Sequence, residues 1–164
     1  MNKKVILILM IILALTSIMA VTSFKSNQDF DGLFTMDIPA GQHFTDVAYC
    51  LPNGALGCSR EYLDDNTGCE LEQDDIMIFY YNDSYLVEGE SNAWQHAVND
   101  LTTSYFYQVV QDDGNSLVLT NDLGMKVMPP YLVGVKNDDG SKAVFVGGHH
   151  LDDLKRYADS VEFK

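Results

Sequence analysis

YLVGVKNDDGSKAVFVGG, residues 131–148, carries the strongest signal for the fold class of this chain. Two apolar runs at 131–135 and 143–146 flank Asn-Asp-Asp-Gly at 137–140, and this arrangement is typical of a β-hairpin. We expect Gly147-Gly148 to end the second strand. Strands joined by a hairpin must run antiparallel, so this stretch predicts an antiparallel sheet.

Further strands are predicted on the N-terminal side of this hairpin. Asp113-Gly114 is a strong turn signal between strands expected at 105–111 and 117–119. Pro129-Pro130 bars a central strand between the two hairpins, because proline cannot donate to the ladder. Earlier strand patterns lie at 33–38, with Phe34, Met36 and Ile38 on one face, at 76–81 and, after a turn at Asn82-Asp83, at 85–87.

Two amphipathic helices are predicted from apolar residues spaced three and four apart. Ser91 or Asn92 caps the first helix, and Gln95 completes a capping-box pattern with Asn92. The apolar positions of this helix are Ala93, Trp94, Ala97, Val98 and Leu101. The second helix is expected over about 150–160, with a buried stripe of Leu151, Leu154, Ala158 and Val161. We expect Trp94 to anchor the first helix in the core, the alternative being an exposed aromatic that binds a partner.

This order of elements predicts an α+β fold. A twisted antiparallel sheet is expected to be covered by two amphipathic helices, since each helix needs a sheet face to bury its apolar stripe. Residues 25–164 have the length of a single domain. One hydrophobic helix is expected to precede this domain.

That N-terminal helix is predicted from the uncharged run at residues 5–24. Its 20 residues match the thickness of a bilayer's hydrocarbon core when helical. Lys3 and Lys4 precede the run and all 24 acidic residues follow it, which places residues 25–164 outside the cytoplasm. Both a retained membrane anchor and a cleaved signal peptide are consistent with the pattern, so the domain is expected to be anchored or secreted.

The excess of acidic residues excludes some classes of binding partner. Residues 25–164 carry eight basic and 24 acidic side chains, a formal charge of −16. Such a surface repels nucleic acid and anionic lipid headgroups. It favours cations and basic partners, and the expected partner is a protein or a cell-surface component.

Three cysteines, Cys50, Cys58 and Cys69, lie in an expected loop at about 48–73. Outside the cytoplasm we expect one disulfide and one remaining thiol, and the spacing leaves the pairing open. The spacing contains no C-x2-C knuckle, which makes zinc the weaker interpretation. No local signature supports a catalytic cysteine.

Other candidate sites are few. His149 and His150, with Asp152 or Asp153 nearby, are candidate ligands for a metal ion, and the alternative is that they simply begin the second helix after a Gly-Gly turn. The acidic stretch at 64–75 fails the EF-hand pattern, so only weak binding of calcium or another divalent cation stays open.

Asn82-Asp83-Ser84 is a glycosylation sequon in an expected turn. An exposed row of strand tyrosines is a further possible binding face, although strand propensity alone explains it.

Two motifs resemble those of a known family. FTMDIPAG at 34–41 resembles the F-x-[IVM]-x-[IVL]-P-x-G opening of Mog1/PsbP-like domains, and YADSVEF at 157–163 is similar to the end of their closing helix. The resemblance covers about residues 30–164 and implies a hairpin, a helix, an antiparallel meander and a closing helix. It implies a binding or adaptor domain without catalytic residues and transfers no site residue to this chain. The cysteine segment departs from the family pattern.

Two functions follow as hypotheses. The first is a non-catalytic binding or accessory domain displayed outside the cytoplasm. The alternative is a secreted or anchored hydrolase, possibly metal-dependent, that uses His149, His150 and nearby carboxylates.

Overall fold

Two antiparallel sheets and two α-helices form the part of the chain that the structure describes. This computed structural model describes residues 25–39, 76–86, 88–124 and 128–164. The strands are β1 (Lys25–Phe30), β2 (Phe34–Pro39), β3 (Met77–Asn82), β4 (Gln108–Asp112), β5 (Ser116–Thr120), β6 (Tyr131–Lys136), β7 (Lys142–Gly148) and β8 (Glu162–Phe163). The helices are α1 (Ala93–Thr103) and α2 (Leu151–Ala158), and a 3₁₀ turn covers Asp83–Tyr85. The predicted α+β class with two helices and antiparallel strands is confirmed.

The main sheet has the strand order β3-β7-β6-β5-β4. Every neighbouring pair is antiparallel, and β6 and β7 form the hairpin expected at 131–148. The strand predicted at 143–146 extends through both glycines instead of breaking at them, because β7 continues to Gly148, which pairs with Tyr131. A Cβ on Gly147 would lie 2.4 Å from Pro129 Cγ and 2.6 Å from Leu132 Cδ2. This glycine therefore permits close packing within the strand rather than a break.

The two faces of the main sheet build two separate cores. Alternate residues of each strand point to opposite faces. One core combines Phe79, Leu119 and Phe145 with Ala97 and Leu101 of α1. The other core joins a second set of strand residues to α2 and the small sheet: Ile78, Val133, Val144, Met36, Ile38 and Leu154. Helix α1 packs mainly on β3 and β7, and α2 packs on β6 and β7.

The start of α1 is held by its own cap and by the β6–β7 turn. Asn92 is the N-cap, and its Oδ1 accepts a hydrogen bond from the Gln95 amide at 3.0 Å. The Gln95 side chain reaches back to the amide of Ser91, one residue before the partner expected of a capping box. The carbonyl of Gly140, in the turn, accepts a hydrogen bond from the Trp94 amide at 3.0 Å. The hairpin and the helix thus fix each other's position.

The small sheet has the order β1-β2-β8. Phe34, Met36 and Ile38 of β2 are buried on one face, as their alternation predicts. Strand β1 is not among the predicted elements, although Asp31-Gly32 is a hairpin signal. Both residues have positive φ, 52° and 71°, and the Leu33 amide donates to the Phe30 carbonyl at 2.9 Å.

Three other expectations have different outcomes. The strand expected at 85–87 is replaced, over Asp83–Tyr85, by a 3₁₀ turn, because Asn82 Oδ1 accepts from the Ser84 amide and starts a turn there. Strand β4 begins at Gln108 rather than at residue 105. The N-terminal run at 5–24 and the cysteine loop at 48–73 lie outside the described residues. Neither α1 nor α2, the α-helices within the described ranges, has the length and apolar character needed to cross a bilayer.

Candidate functional site

Strand β4 forms one edge of the main sheet and is covered on neither face. Among the described strands it pairs with β5 alone, and all five of its residues are exposed. The strand at the opposite edge, β3, is buried from Met77 to Tyr81. An exposed edge presents unpaired amide and carbonyl groups that can pair with another chain. In the described part of the chain, β4 therefore forms an accessible edge of the main sheet.

Exposed apolar side chains collect around this edge. The large hydrophobic residues that are exposed in the described part of the chain are Phe106, Val109, Val110 and Leu123, at 62%, 47%, 58% and 61% exposure. The Asn121 side chain donates to the Tyr105 carbonyl at 2.8 Å, which ties the loop that carries Leu123 to the residue before Phe106. We call these four residues the β4 surface.

Phe106 has a backbone conformation that phenylalanine rarely adopts. Its φ is +59°, in the left-handed region that glycine and asparagine tolerate best. The neighbouring residues hold it there: the Tyr107 amide donates to the Leu101 carbonyl at 3.0 Å, and the buried Tyr107 hydroxyl donates to the Pro129 carbonyl at 2.5 Å. Backbone strain of this kind concentrates at functional sites. The ring gains little packing in return, because it is largely exposed.

Val110 lies at an irregularity of β4. Val109 pairs with Leu119 and Gln111 pairs with Val118, so the register shifts at Val110. A bulge twists a strand and redirects a side chain, and it often occurs near functional sites. Here it places a further apolar side chain in solvent.

The β4 region is also acidic. Residues 106–124 include Asp112, Asp113 and Asp122 and contain no lysine, arginine or histidine. Lys155 of α2 approaches from the α2 side of the main sheet, where its ammonium donates to Gln111 Oε1 at 3.2 Å. The surface thus combines apolar side chains with a negative border.

A buried polar cluster lies between α1 and β3, and sequence reasoning missed it. His96 is only 6% exposed, and its Nδ1 is 2.6 Å from Glu90 Oε2. Tyr81 OH donates to Asp100 Oδ2 at 3.3 Å. The Tyr81 and His96 rings meet edge-on, with their centroids 5.9 Å apart. Burial, with the charge of Asp100 as a smaller cause, raises the pKa of Tyr81. One feature of the sequence could have predicted this cluster: His96 and Asp100 are four residues apart and lie beside the apolar stripe of α1.

This cluster is closed to ligands. His96 Nε2 is buried and has no hydrogen-bond partner in the described structure. A substrate or metal ion has no path to a nitrogen that is covered in this way. We therefore interpret the Glu90–His96 pair as a contact that holds the segment before α1 against the helix, while the Tyr81 ring joins His96 to β3.

The predicted metal ligands do not converge. His149 and His150 are exposed, and α2 begins directly after them at Leu151. Asp153 forms an ion pair with Arg156. Within the described ranges, no group of three histidine, cysteine or acidic side chains is arranged to hold a metal ion. A site at His149, His150, Asp152 and Asp153, weak cation binding and the hydrolase alternative stay predictions.

The remaining predicted residues have mixed outcomes. Asn82 is half-buried and ends β3, and its glycosylation stays a prediction. The three cysteines, Cys50, Cys58 and Cys69, lie outside the described residues, so the disulfide also stays a prediction. An exposed tyrosine row is wrong for Tyr80, Tyr81 and Tyr107, which are at most 3% exposed.

Trp94 combines the two predicted roles. Its ring is half-buried against the core that lies between α1 and the main sheet, and it stacks on Phe145 with centroids 5.4 Å apart. The Lys136 ammonium lies 5.5 Å from the centre of the Trp94 ring, as in a cation–π contact. The prediction of a core anchor is therefore correct for part of the side chain, and the rest reaches the surface.

No protein-family model, curated protein or solved structure matches this chain at a significant level. The Mog1/PsbP-like resemblance stays a prediction that rests on the two quoted motifs.

Proposed function

We propose that this chain is a non-catalytic binding or accessory domain that contacts a protein partner outside the cytoplasm. The observation that carries the proposal is the β4 surface, where exposed Phe106, Val109, Val110 and Leu123 lie at an unpaired sheet edge. Apolar side chains grouped on a surface cost solubility and commonly mark interaction sites.

The location outside the cytoplasm follows from the N-terminal sequence. Lys3 and Lys4, followed by the apolar run at 5–24, favour a membrane anchor or a signal peptide with residues 25–164 exported. Protease added to intact cells should then digest a tag placed after Lys164. Protection of that tag until the cells are lysed would contradict export.

A Mog1/PsbP-like architecture supports an accessory role as a second part of the proposal. The two motifs that carry this resemblance lie together: Phe34 pairs with Phe163, and the Asp37 amide donates to Ser160 Oγ at 2.9 Å. The family resemblance implies binding or adaptor functions without catalytic residues.

Site-specific photo-crosslinking tests the binding function. A photo-reactive amino acid at Val110 should yield a discrete adduct in cells of the source organism, because this side chain is exposed on the proposed contact surface. The captured protein is then purified, and its affinity for the full chain is measured directly.

The same probe at Glu162, exposed on β8, serves as the matched control. Capture from position 110 alone, followed by saturable binding of the purified partner, supports the proposal. Identical adducts from both positions, or none from position 110, would overturn it.

A further inference from the structure

We propose that the β4 surface binds an extended, basic segment of the partner chain as an added strand, with Phe106 as its apolar anchor. The inference rests on the proposed function and specifies the chemistry of the partner. Three observations carry it: the free edge of β4, the strained exposed Phe106 and the absence of basic residues from 106–124.

The edge has the properties that strand addition requires. Strand β4 contains no proline, so the alternate backbone amides that point away from β5 can donate to an added strand, and it contains no lysine that would discourage pairing. The single interruption is the register shift at Val110. An added strand gains main-chain hydrogen bonds for affinity, while alternate side chains supply specificity.

Phe106 supplies the apolar contact at the start of β4. Its positive φ costs stability, and its 62% exposed ring recovers little of that cost in the free chain. Buried aromatic side chains are frequent anchors of protein interfaces. An added strand that covered this ring would give the strained conformation a favourable contact.

The negative charges near β4 favour a basic segment of another protein over a second copy of this chain as the added strand. Asp112 is the last residue of β4 and Asp113 follows it. Asp122 lies in the loop after β5, which the Asn121 side chain ties to Tyr105, just before β4. A second copy of this chain would bring the same three aspartates, and the ammonium that contacts β4, that of Lys155, carries a single positive charge against their three negative charges. Like charges at strand positions are destabilising, whereas lysine or arginine on a foreign strand meets opposite charges.

The test uses synthetic peptides and the full chain in neutral detergent. The probe is a short fluorescent peptide that alternates lysine with valine and threonine. One matched peptide replaces lysine by glutamate, and another keeps every side chain but carries N-methyl groups on alternate backbone amides. Fluorescence anisotropy should show the lysine peptide binding at least about tenfold more tightly than either matched peptide. The affinity should also fall as salt rises to roughly physiological ionic strength.

Variants of the chain identify the surface. Phe106→Asn and Val110→Ser remove apolar contacts without changing charge, and each should weaken peptide binding by about tenfold. Asp122→Asn should weaken binding, whereas Asp159→Asn removes the same charge from the end of α2 and should leave binding unchanged. Circular dichroism of each variant verifies that the fold is retained.

Equal binding of the lysine and glutamate peptides, or of the N-methylated peptide, would overturn the inference. So would unaltered binding by Phe106→Asn and Val110→Ser. If photo-crosslinking at position 110 captures a partner that binds but the basic peptide does not, this inference fails while the proposed function stands. If neither binds, both fail.

Discussion

At the scale of single residues, Phe106 shows a conflict between backbone preference and side-chain identity. A left-handed conformation costs an L-residue with a Cβ about 1–2 kcal/mol, and asparagine tolerates it best after glycine. Phe106→Asn should therefore raise the free energy of unfolding by up to about 1 kcal/mol, as measured by urea denaturation. Leucine tolerates the left-handed conformation no better than phenylalanine, so Phe106→Leu should not raise the free energy of unfolding. A destabilised Phe106→Asn variant would show that the ring contributes more to folding than its exposure indicates.

Trp94 gives a second prediction at this scale. Complete burial would make Trp94→Ala cost about 3–5 kcal/mol. The ring is only half-buried between Phe145 and Lys136, so we expect a loss of about 2 kcal/mol and smaller damage from Trp94→Phe. Because Trp94 is the only tryptophan, its fluorescence reports directly, and iodide should quench it partially in the folded chain. Complete protection from iodide would contradict the half-buried position.

At the scale of elements, α1 depends on the turn of a hairpin that lies far away in sequence. Asn92 caps α1 through Oδ1, and its Nδ2 donates to the Asp139 carbonyl at 3.3 Å. Asn92→Ala should lower the free energy of unfolding by about 1–2 kcal/mol, since it removes both contacts. Asn92→Ser keeps a capping oxygen and should recover most of the loss in the same urea titration. Equal losses for the two variants would show that the link to the turn dominates over the cap.

At the scale of the whole molecule, buried tyrosines limit stability at high pH. Burial raises the pKa of both Tyr81 and Tyr107, and the charge of Asp100 adds to the effect at Tyr81. Unfolded tyrosines ionise near pH 10, whereas these two keep their protons in the folded chain. The stability is therefore fully present below about pH 10 and is lost as the pH rises further, at about 1.4 kcal/mol per pH unit for each tyrosine.

Urea titrations at a series of alkaline pH values measure this decline. Tyr107→Phe removes one titrating group and should make the decline shallower, although it also loses the hydrogen bond to Pro129 and begins from a lower stability. Tyrosinate absorbance of the folded chain provides a separate check. Full ionisation of all tyrosines near pH 10 without unfolding would contradict the raised pKa values.

Features that depend on a few neighbouring residues could be predicted from the sequence. The turns at Asp113-Gly114 and 137–140 predicted the two hairpins, and Asn92 predicted the start of α1, because turn and cap conformations are set by local backbone preferences. The acidic charge and the absence of basic residues from 106–124 are also sequence properties. These local signals were enough to predict the α+β class.

Features that depend on residues far apart in the chain could be identified only from the folded arrangement. Gly147 continues β7 because Pro129 and Leu132 pack against its backbone, although a Gly-Gly pair locally resembles a strand end. His96 is buried because α1 packs on β3, where the Tyr81 ring lies against the His96 ring. The β4 surface is exposed because α1 and α2 pack mainly on the other strands of the main sheet. Packing between distant segments, rather than local conformational preference, determines which of several similar apolar strands is left in contact with solvent.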